Sequence, residues 1–452
     1  MSTDDPVRSS PDAPAAPSPG IEALPVGAVF AHMSLTSAHI KAGATLLAAL
    51  AIESWEMLSL TYVAGDLERD LHMNSAQLGL VISALFLGMI PGALVWGPLA
   101  DRIGRRRTCL WSFTGYGVLA VLSALAPDFG LLMAARVLSG FAFAGVFTIT
   151  FPYFEELLPV RSRGRAAVFL AAGWPFGTLA AVGVAALVGG HGWRAVVLVS
   201  ATASLWALAI RRWVPESPYW LAQQGRSDEA YDVLARLGAT DLDRTRPLTV
   251  PGPPAGSIRG LLKGSLARVT VIQVAVNFLF SWGYWGLQSW LPTLLQDRGL
   301  SASSSLGFVA VSAVFMIPGY VSAAWLTGRF GRKKVFVGYV LAAAAGGFFF
   351  ADAHTLTGLY AGMFGLSFFS LGAWGVWDAW VGELYPSPVR GMGYSLGVVG
   401  QRVANTAAPS LIGLLLAHST GFTSTVIFID LFLVATALLG LALPETEGKE
   451  LR

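Results

Sequence analysis

The sequence predicts an all-α integral membrane protein: twelve transmembrane helices in two pseudo-symmetric six-helix bundles. Composition, the run of apolar segments and an internal repeat carry this reading. Of 452 residues, 54% are hydrophobic and only 13% charged, where a soluble domain carries about 25% charged residues. Mean hydropathy is +0.60. Twelve spans of roughly 20 residues need roughly 240 apolar residues, which this composition supplies. Three soluble domains of about 150 residues fit the length but cannot hide such apolar runs. Disorder, coiled coil and disulfide scaffold are excluded for the bulk of the chain.

Residues 1–38 are rich in Pro, Ala and Ser and lack the basic start and apolar core of a signal peptide. They are expected to form a disordered cytoplasmic tail. The first bundle, 39–213, holds apolar segments near 42–64, 76–100, 108–127, 129–154, 164–189 and 193–213. A polar linker loop, 214–267, follows, with short amphipathic stretches and the run Pro251-Gly-Pro-Pro. The second bundle, 268–443, holds segments near 268–295, 304–328, 334–352, 355–382, 391–418 and 421–443, and residues 444–452 form a tail. With the N-terminus placed inside, 25 of the 30 Lys and Arg fall on the N-terminal side. Only Arg69, Arg194 and Arg298 fall opposite, and Arg136 and Arg402 lie within spans. That asymmetry places both termini and the central loop in the cytoplasm, with a bacterial inner membrane as the expected location.

The net charge of +3 reports arginines facing anionic lipid rather than a nucleic-acid partner. The single cysteine, Cys109, permits no internal disulfide, the six histidines form no cluster, and no GxxxxGK[ST] run occurs. No metal, cofactor or ATP site is therefore expected, nor any enzyme. The linker and tails leave little room for a signalling domain, which argues against a sensor.

The halves repeat at a constant offset of 227 residues. Arg102-Ile-Gly-Arg-Arg-Arg107 recurs as Arg329-Phe-Gly-Arg-Lys-Lys334, and Glu156-Leu-Leu-Pro159 with Arg163-Gly164 recurs as Glu383-Leu-Tyr-Pro386 with Arg390-Gly391. Basic turns recurring by chance would not share one register. Six-helix halves around a central cavity suit alternating access by rocking.

The run Gly97-Pro-Leu-Ala-Asp101-Arg-Ile-Gly-Arg-Arg-Arg-Thr108 resembles the loop 2–3 signature of the major facilitator superfamily. Arg136-Val-Leu-Ser-Gly140 resembles its fourth-helix signature. Pro215-Glu-Ser-Pro-Tyr-Trp-Leu221 and Pro444-Glu-Thr-Glu-Gly-Lys-Glu-Leu451 resemble the sugar-porter signatures shared with the organic-ion and niacin branches. The resemblance covers about 40–450 and implies a metabolite transporter. The second loop carries Gly328 where the first has Asp101. Within this frame Asp101, Arg105, Glu156, Arg163, Arg332, Glu383 and Arg390 are expected to gate. Asp101 would cap a neighbouring helix N-terminus, and Arg–Glu pairs across the repeats would hold the outward-facing state.

Function is expected where the repeat breaks. Glu53 and Glu56 fall near the centre of the first span, and their repeat positions are Phe280 and Gly283. A spacing of three puts both on one face, and an ionised group at mid-membrane costs about 2.5–3.5 kcal/mol. Two such carboxylates favour holding at least one proton between them, as a proton carrier must in one of its states. The resemblance adds that related symporters carry an acidic pair, usually aspartates, at a similar place. Arg136 is expected to partner either glutamate.

The second break is Arg402, in the eleventh span, whose repeat position is Pro175. A mid-membrane guanidinium needs a carboxylate, a cavity or a ligand, and its fork suits a carboxylate substrate. The alternative is a permanent ion pair with Asp378 or Glu53. Asn405 shares its face. Trp282, Trp285, Trp374 and Trp377 would supply aromatic walls, with Gln273 and Asn277 donating hydrogen bonds and Asp378 among them. Asp430, in the twelfth span, has no assigned role. The expected function is proton-coupled symport of a small organic anion, an aromatic or heterocyclic carboxylate, by a monomer in the lipid bilayer. A sugar or polyol porter or an efflux antiporter is the alternative.

Overall fold

The computed structural model describes residues 23–446 apart from 32, 160–169, 171–172, 241, 251–257, 387–388 and 419–420. Helices occupy all twelve apolar segments. Among the described residues, ten helical stretches are long and apolar enough to cross a membrane, including Ser75–Ile103, Phe129–Glu156, Ala302–Phe330 and Leu356–Glu383. The third segment, Arg105–Ala124, and the eleventh, Arg390–Ala417, fill the remaining places. Their arginines and hydroxyl or amide side chains dilute the apolar character without interrupting the helix.

The helix ends obey the repeat. Asn74 accepts from Gln77 N (2.9 Å) and Ser301 accepts from Ser304 N (3.1 Å), each at the start of a 29-residue helix. Asp128 accepts from Leu131 N (2.9 Å) and Thr355 from Gly358 N (3.1 Å). Both pairs of caps sit 227 residues apart. Each satisfies an N–H that the helix itself leaves unpaired. At the other end of the second and eighth spans, Gly104 (φ +100°) and Gly331 (φ +87°) turn the chain directly into the next helix. A backbone there favours glycine.

The N-terminal segment differs from the sequence reading of a disordered tail through residue 38. Leu24–Pro25 pairs in parallel with Leu248–Thr249 of the linker, and Val26–Ala31 is helical. Phe30 is buried and stacks on Tyr219 with centroids 5.7 Å apart. Thr36 Oγ1 donates to Leu237 O (2.9 Å), and the first membrane helix begins at Ser37. The linker itself folds into short helices, Pro218–Gln223 and Ser227–Leu237. Val26 and Phe30 supply the apolar surface against which part of this linker buries, which composition averaged over 38 residues concealed.

The halves meet along two seams, the second span against the eleventh and the fifth against the eighth. At the arginine-poor end the first seam is shut. Ser410 Oγ of the eleventh span donates to Ser83 Oγ of the second (2.7 Å), and within the C-terminal half Trp290 Nε1 donates to the adjacent Pro409 O (3.0 Å). A Cβ on Gly79 would lie 2.6 Å from Pro409 O, and one on Gly413 would lie 2.5 Å from Ser75 O. Only glycine permits this backbone approach, the packing device expected between membrane helices.

Candidate functional site

The two glutamates of the first span diverge. Residues three apart on an α-helix are about 60° from eclipsed, and here that angle sends them to different partners. Glu56 is fully buried within the N-terminal half. Tyr116 of the third span donates its hydroxyl to it, and Arg136 of the fourth span and Ser200 of the sixth lie beside it. Glu53, also buried, turns to the other half, where Arg402 is its electrostatic partner. Neither Glu53 oxygen accepts a hydrogen bond from the described residues. The sequence left the two acids equivalent, whereas the structure separates them. Of the two glutamates offered for Arg136, its partner is Glu56.

Arg402 is 4% exposed, and its guanidinium lies over the Phe147 ring of the fourth span, 3.5 Å from the centroid. That contact crosses the halves and gives a desolvated cation an aromatic face. Its Nη2 donates to nothing among the described residues. Asp378 is not its ion-pair partner. That carboxylate is exposed near the arginine-rich end of the tenth span and accepts from Tyr394 Oη at 3.4 Å.

The aromatic residues divide. Trp285 lies at the seam, edge-on to Phe86 of the second span (4.8 Å) and Trp174 of the fifth (5.6 Å). Asn405, with its amide turned so that both atoms are satisfied, accepts from Trp285 Nε1 (3.2 Å) and donates to Gln401 O (3.0 Å). Trp174 Nε1 donates across the halves to Tyr284 Oη (3.1 Å), and Trp374 packs on Phe280 (4.6 Å) and Tyr284 (6.3 Å). Trp282 instead stacks on Phe432 of the twelfth span (4.7 Å), and Trp377 packs on Phe336 (4.9 Å) inside the C-terminal half. These two rings face helix packing rather than the seam. Gln273 donates to Gly393 O (2.8 Å) and Asn277 donates to Gln273 Oε1 (2.9 Å). Those amides tie the seventh span to the eleventh instead of standing free for a ligand.

Sequence reasoning missed Tyr116, Phe147, Trp174 and Phe86. Trp174 could have been found, because it precedes Pro175, the repeat counterpart of Arg402. Phe147 gave no signal, since one more phenylalanine in an apolar span is unmarked.

At the arginine-rich end the ion pairs of Arg105 and Arg332 each close within their own half. Arg105 grips Glu156 with Nε (3.1 Å) and Nη2 (3.3 Å), and reaches Asp101 at 2.8 Å. Arg332 pairs with Glu383 at 2.9 Å, where no counterpart of Asp101 exists. The helix cap expected of Asp101 is Glu216, whose carboxylate accepts from the backbone of Arg105 (3.0 Å) and Arg106 (3.2 Å). Burial, outweighing those bonds, raises the Glu216 carboxyl above its ordinary range. Glu445 does the same for Arg332 and Lys333 (3.1 Å each). Tyr153 Oη donates to Pro215 O (2.6 Å), and its repeat counterpart Trp380 donates to Pro444 O (3.1 Å). Arg390 opens the eleventh helix, and Arg163 lies outside the described residues.

The profile of the Major Facilitator Superfamily matches residues 44–329 and 309–452. The chain is 32% identical over 398 residues to the niacin transporter NiaP of Acinetobacter baylyi, covering 87% of this chain and 91% of that protein. It is 27% identical over 394 residues to a putative niacin/nicotinamide transporter NiaP of Bacillus subtilis, covering 87% and 92%. The partially occluded inward open structure of the xylose transporter XylE from E. coli superposes with a TM-score of 0.75 at 18% identity, covering 92% and 100%. The chain is a multi-pass membrane transporter of small organic substrates rather than an enzyme, and it belongs to the major facilitator superfamily.

Proposed function

We propose that the chain is a proton-coupled symporter of a small aromatic or heterocyclic carboxylate, of the size and charge of niacin. The observation that carries this is the Glu53–Arg402 juxtaposition, an acid and a base supplied by opposite halves. When the site is empty, ionised Glu53 balances Arg402. A proton on Glu53 removes the negative charge that balances the guanidinium, which then takes the substrate carboxylate through its fork. Trp285, Trp174 and Trp374 offer ring faces beside it, and Asn405 a polar edge.

Charge counting then gives the coupling. The empty site, with Glu53 ionised, and the fully loaded site, with a proton and a monocarboxylate, are both neutral. A site holding only one of the two carries a net charge in a medium of low dielectric, which opposes rocking. The reading is therefore one proton per monocarboxylate. Glu56 and its partners Tyr116, Arg136 and Ser200 move together in one half, so that cluster positions the first span rather than carrying the proton.

With the arginine-rich end read as cytoplasmic, the shut seam would lie outside, which supports reading this arrangement as inward-facing. The niacin transporter relatives favour this substrate class. The test is uptake of labelled nicotinate, nicotinamide and xylose by proteoliposomes with an acidic exterior. Nicotinate alone should accumulate, and Arg402→Ala should abolish it. Undiminished uptake by Arg402→Ala, or accumulation of xylose instead, would overturn the reading.

A further inference from the structure

The outer surface of the N-terminal half carries a groove that the transport cycle does not use. It measures about 650 Å³ and runs between the first, fifth and sixth spans, over Ala48, Ala51, Ala180 and Ala209. The sixth helix tightens into a 3₁₀ turn at Thr202–Leu205 beside it. From Thr202 to Arg212 the groove follows this helix for ten residue steps. At 1.5 Å per residue that is about 15 Å, half of a hydrocarbon core of roughly 30 Å. The groove is one leaflet deep.

Its lining is largely apolar, and among the described residues Arg212, at one end, is the single charged residue lining it. Arg211 and Arg212 are exposed there. Arg236 Nη2 donates to Arg212 O (3.3 Å) and Arg106 Nη2 to Arg211 O, so four guanidinium groups converge on this helix end. Lys41 is exposed one turn before Thr45, whose carbonyl accepts from Trp206 Nε1 (2.9 Å). Lys41, Arg211 and Arg212 have no ion-pair partner among the described residues. The C-terminal half has a groove of about 680 Å³ over Ala275, Phe278 and Leu279, the repeat positions of Ala48, Ala51 and Ile52. Among the described residues no charged side chain lines it, and Arg211-Arg212 repeat as Leu438-Leu439.

We propose that the first groove binds one anionic phospholipid, with an acyl chain along the alanines and its phosphate among Arg212, Arg211 and Lys41. Groove depth matches one chain in one leaflet, and the cations stand at the level of its headgroup. The test is native mass spectrometry of the full chain released from nanodiscs of phosphatidylcholine alone or with phosphatidylglycerol. One phosphatidylglycerol per chain should be retained, and inorganic phosphate should not displace it. Lys41→Gln, Arg211→Gln and Arg212→Gln should weaken retention by roughly fivefold each. Ala48→Phe, which fills the groove and keeps the charges, should release the lipid while the protein still elutes as a folded species. Equal retention of phosphatidylcholine, or retention by the triple variant, would overturn the proposal. Retention by Ala48→Phe with loss in the charge variants would reduce the site to surface attraction and overturn it as well.

Discussion

Glu53 and Glu56 differ by one turn of helix and by everything around them. Glu56 has a hydroxyl donor and a cation within its own half, whereas Glu53 has no hydrogen-bond donor among the described residues and faces a cation in the other half. Glu53→Gln should therefore retain exchange of substrate across the membrane but lose accumulation driven by a pH gradient. Glu56→Gln should leave coupling intact and lower thermal stability, since it leaves Arg136 buried beside a neutral group, a defect costing about 3–5 kcal/mol when a buried pair is broken. Counterflow and accumulation assays on both variants separate these outcomes. A Glu53→Gln variant that still concentrates substrate removes the proton carrier from the scheme. No count of charges in the sequence could make this distinction, because it depends on where the third, fourth and eleventh spans place Tyr116, Arg136 and Arg402.

At the scale of elements, the arginine-rich loops are built twice with one set of parts. Each half has an Arg–Glu pair, a glycine of positive φ, and a glutamate that caps the following helix. Replacing Glu216 by Ala removes acceptors for the first N–H groups of the Arg105–Ala124 helix. It should cost about 1–2 kcal/mol, seen as a lowered unfolding temperature, while Glu216→Gln should retain much of the stability. Equal losses in both variants would assign the effect to packing instead. At the opposite end, Gly79→Leu cannot fit against Pro409 and should shift the population toward a state open there. Thiol labelling of Ser83→Cys, with Cys109 replaced by Ser, should then rise, and unchanged labelling would contradict a shut seam at that point. The repeat made these loops legible before any coordinates: the motif offset of 227 places Arg105, Glu156, Arg332 and Glu383. It did not reveal that the pairs close within each half, because an offset gives equivalence and not contact.

The whole molecule was legible in outline because membrane spans follow from apolar run length, which is additive along the chain, and the two halves from the motif offset. The ordered stretch at 24–31 and the division of the tryptophans were not. Phe30 is buried only because Tyr219 meets it, and Trp282 and Trp285 are distinguished only by which neighbour lies across from each. The same limit applied to the site. Arg402 stood out as a charge where the repeat has Pro175, while the Phe147 ring over it was silent. What unites the scales is charge balance. A half-to-half pair, Glu53 with Arg402, can be replaced only by a proton together with an anion if the moving site is to stay neutral.

That balance is tested most directly by measuring nicotinate uptake into proteoliposomes under an imposed pH gradient and, separately, under a potassium-diffusion potential at constant pH. The account predicts accumulation with the pH gradient and none with the potential, as electroneutral symport of one proton with one monocarboxylate requires. Accumulation driven by the potential alone, or uptake indifferent to the pH gradient, would contradict it.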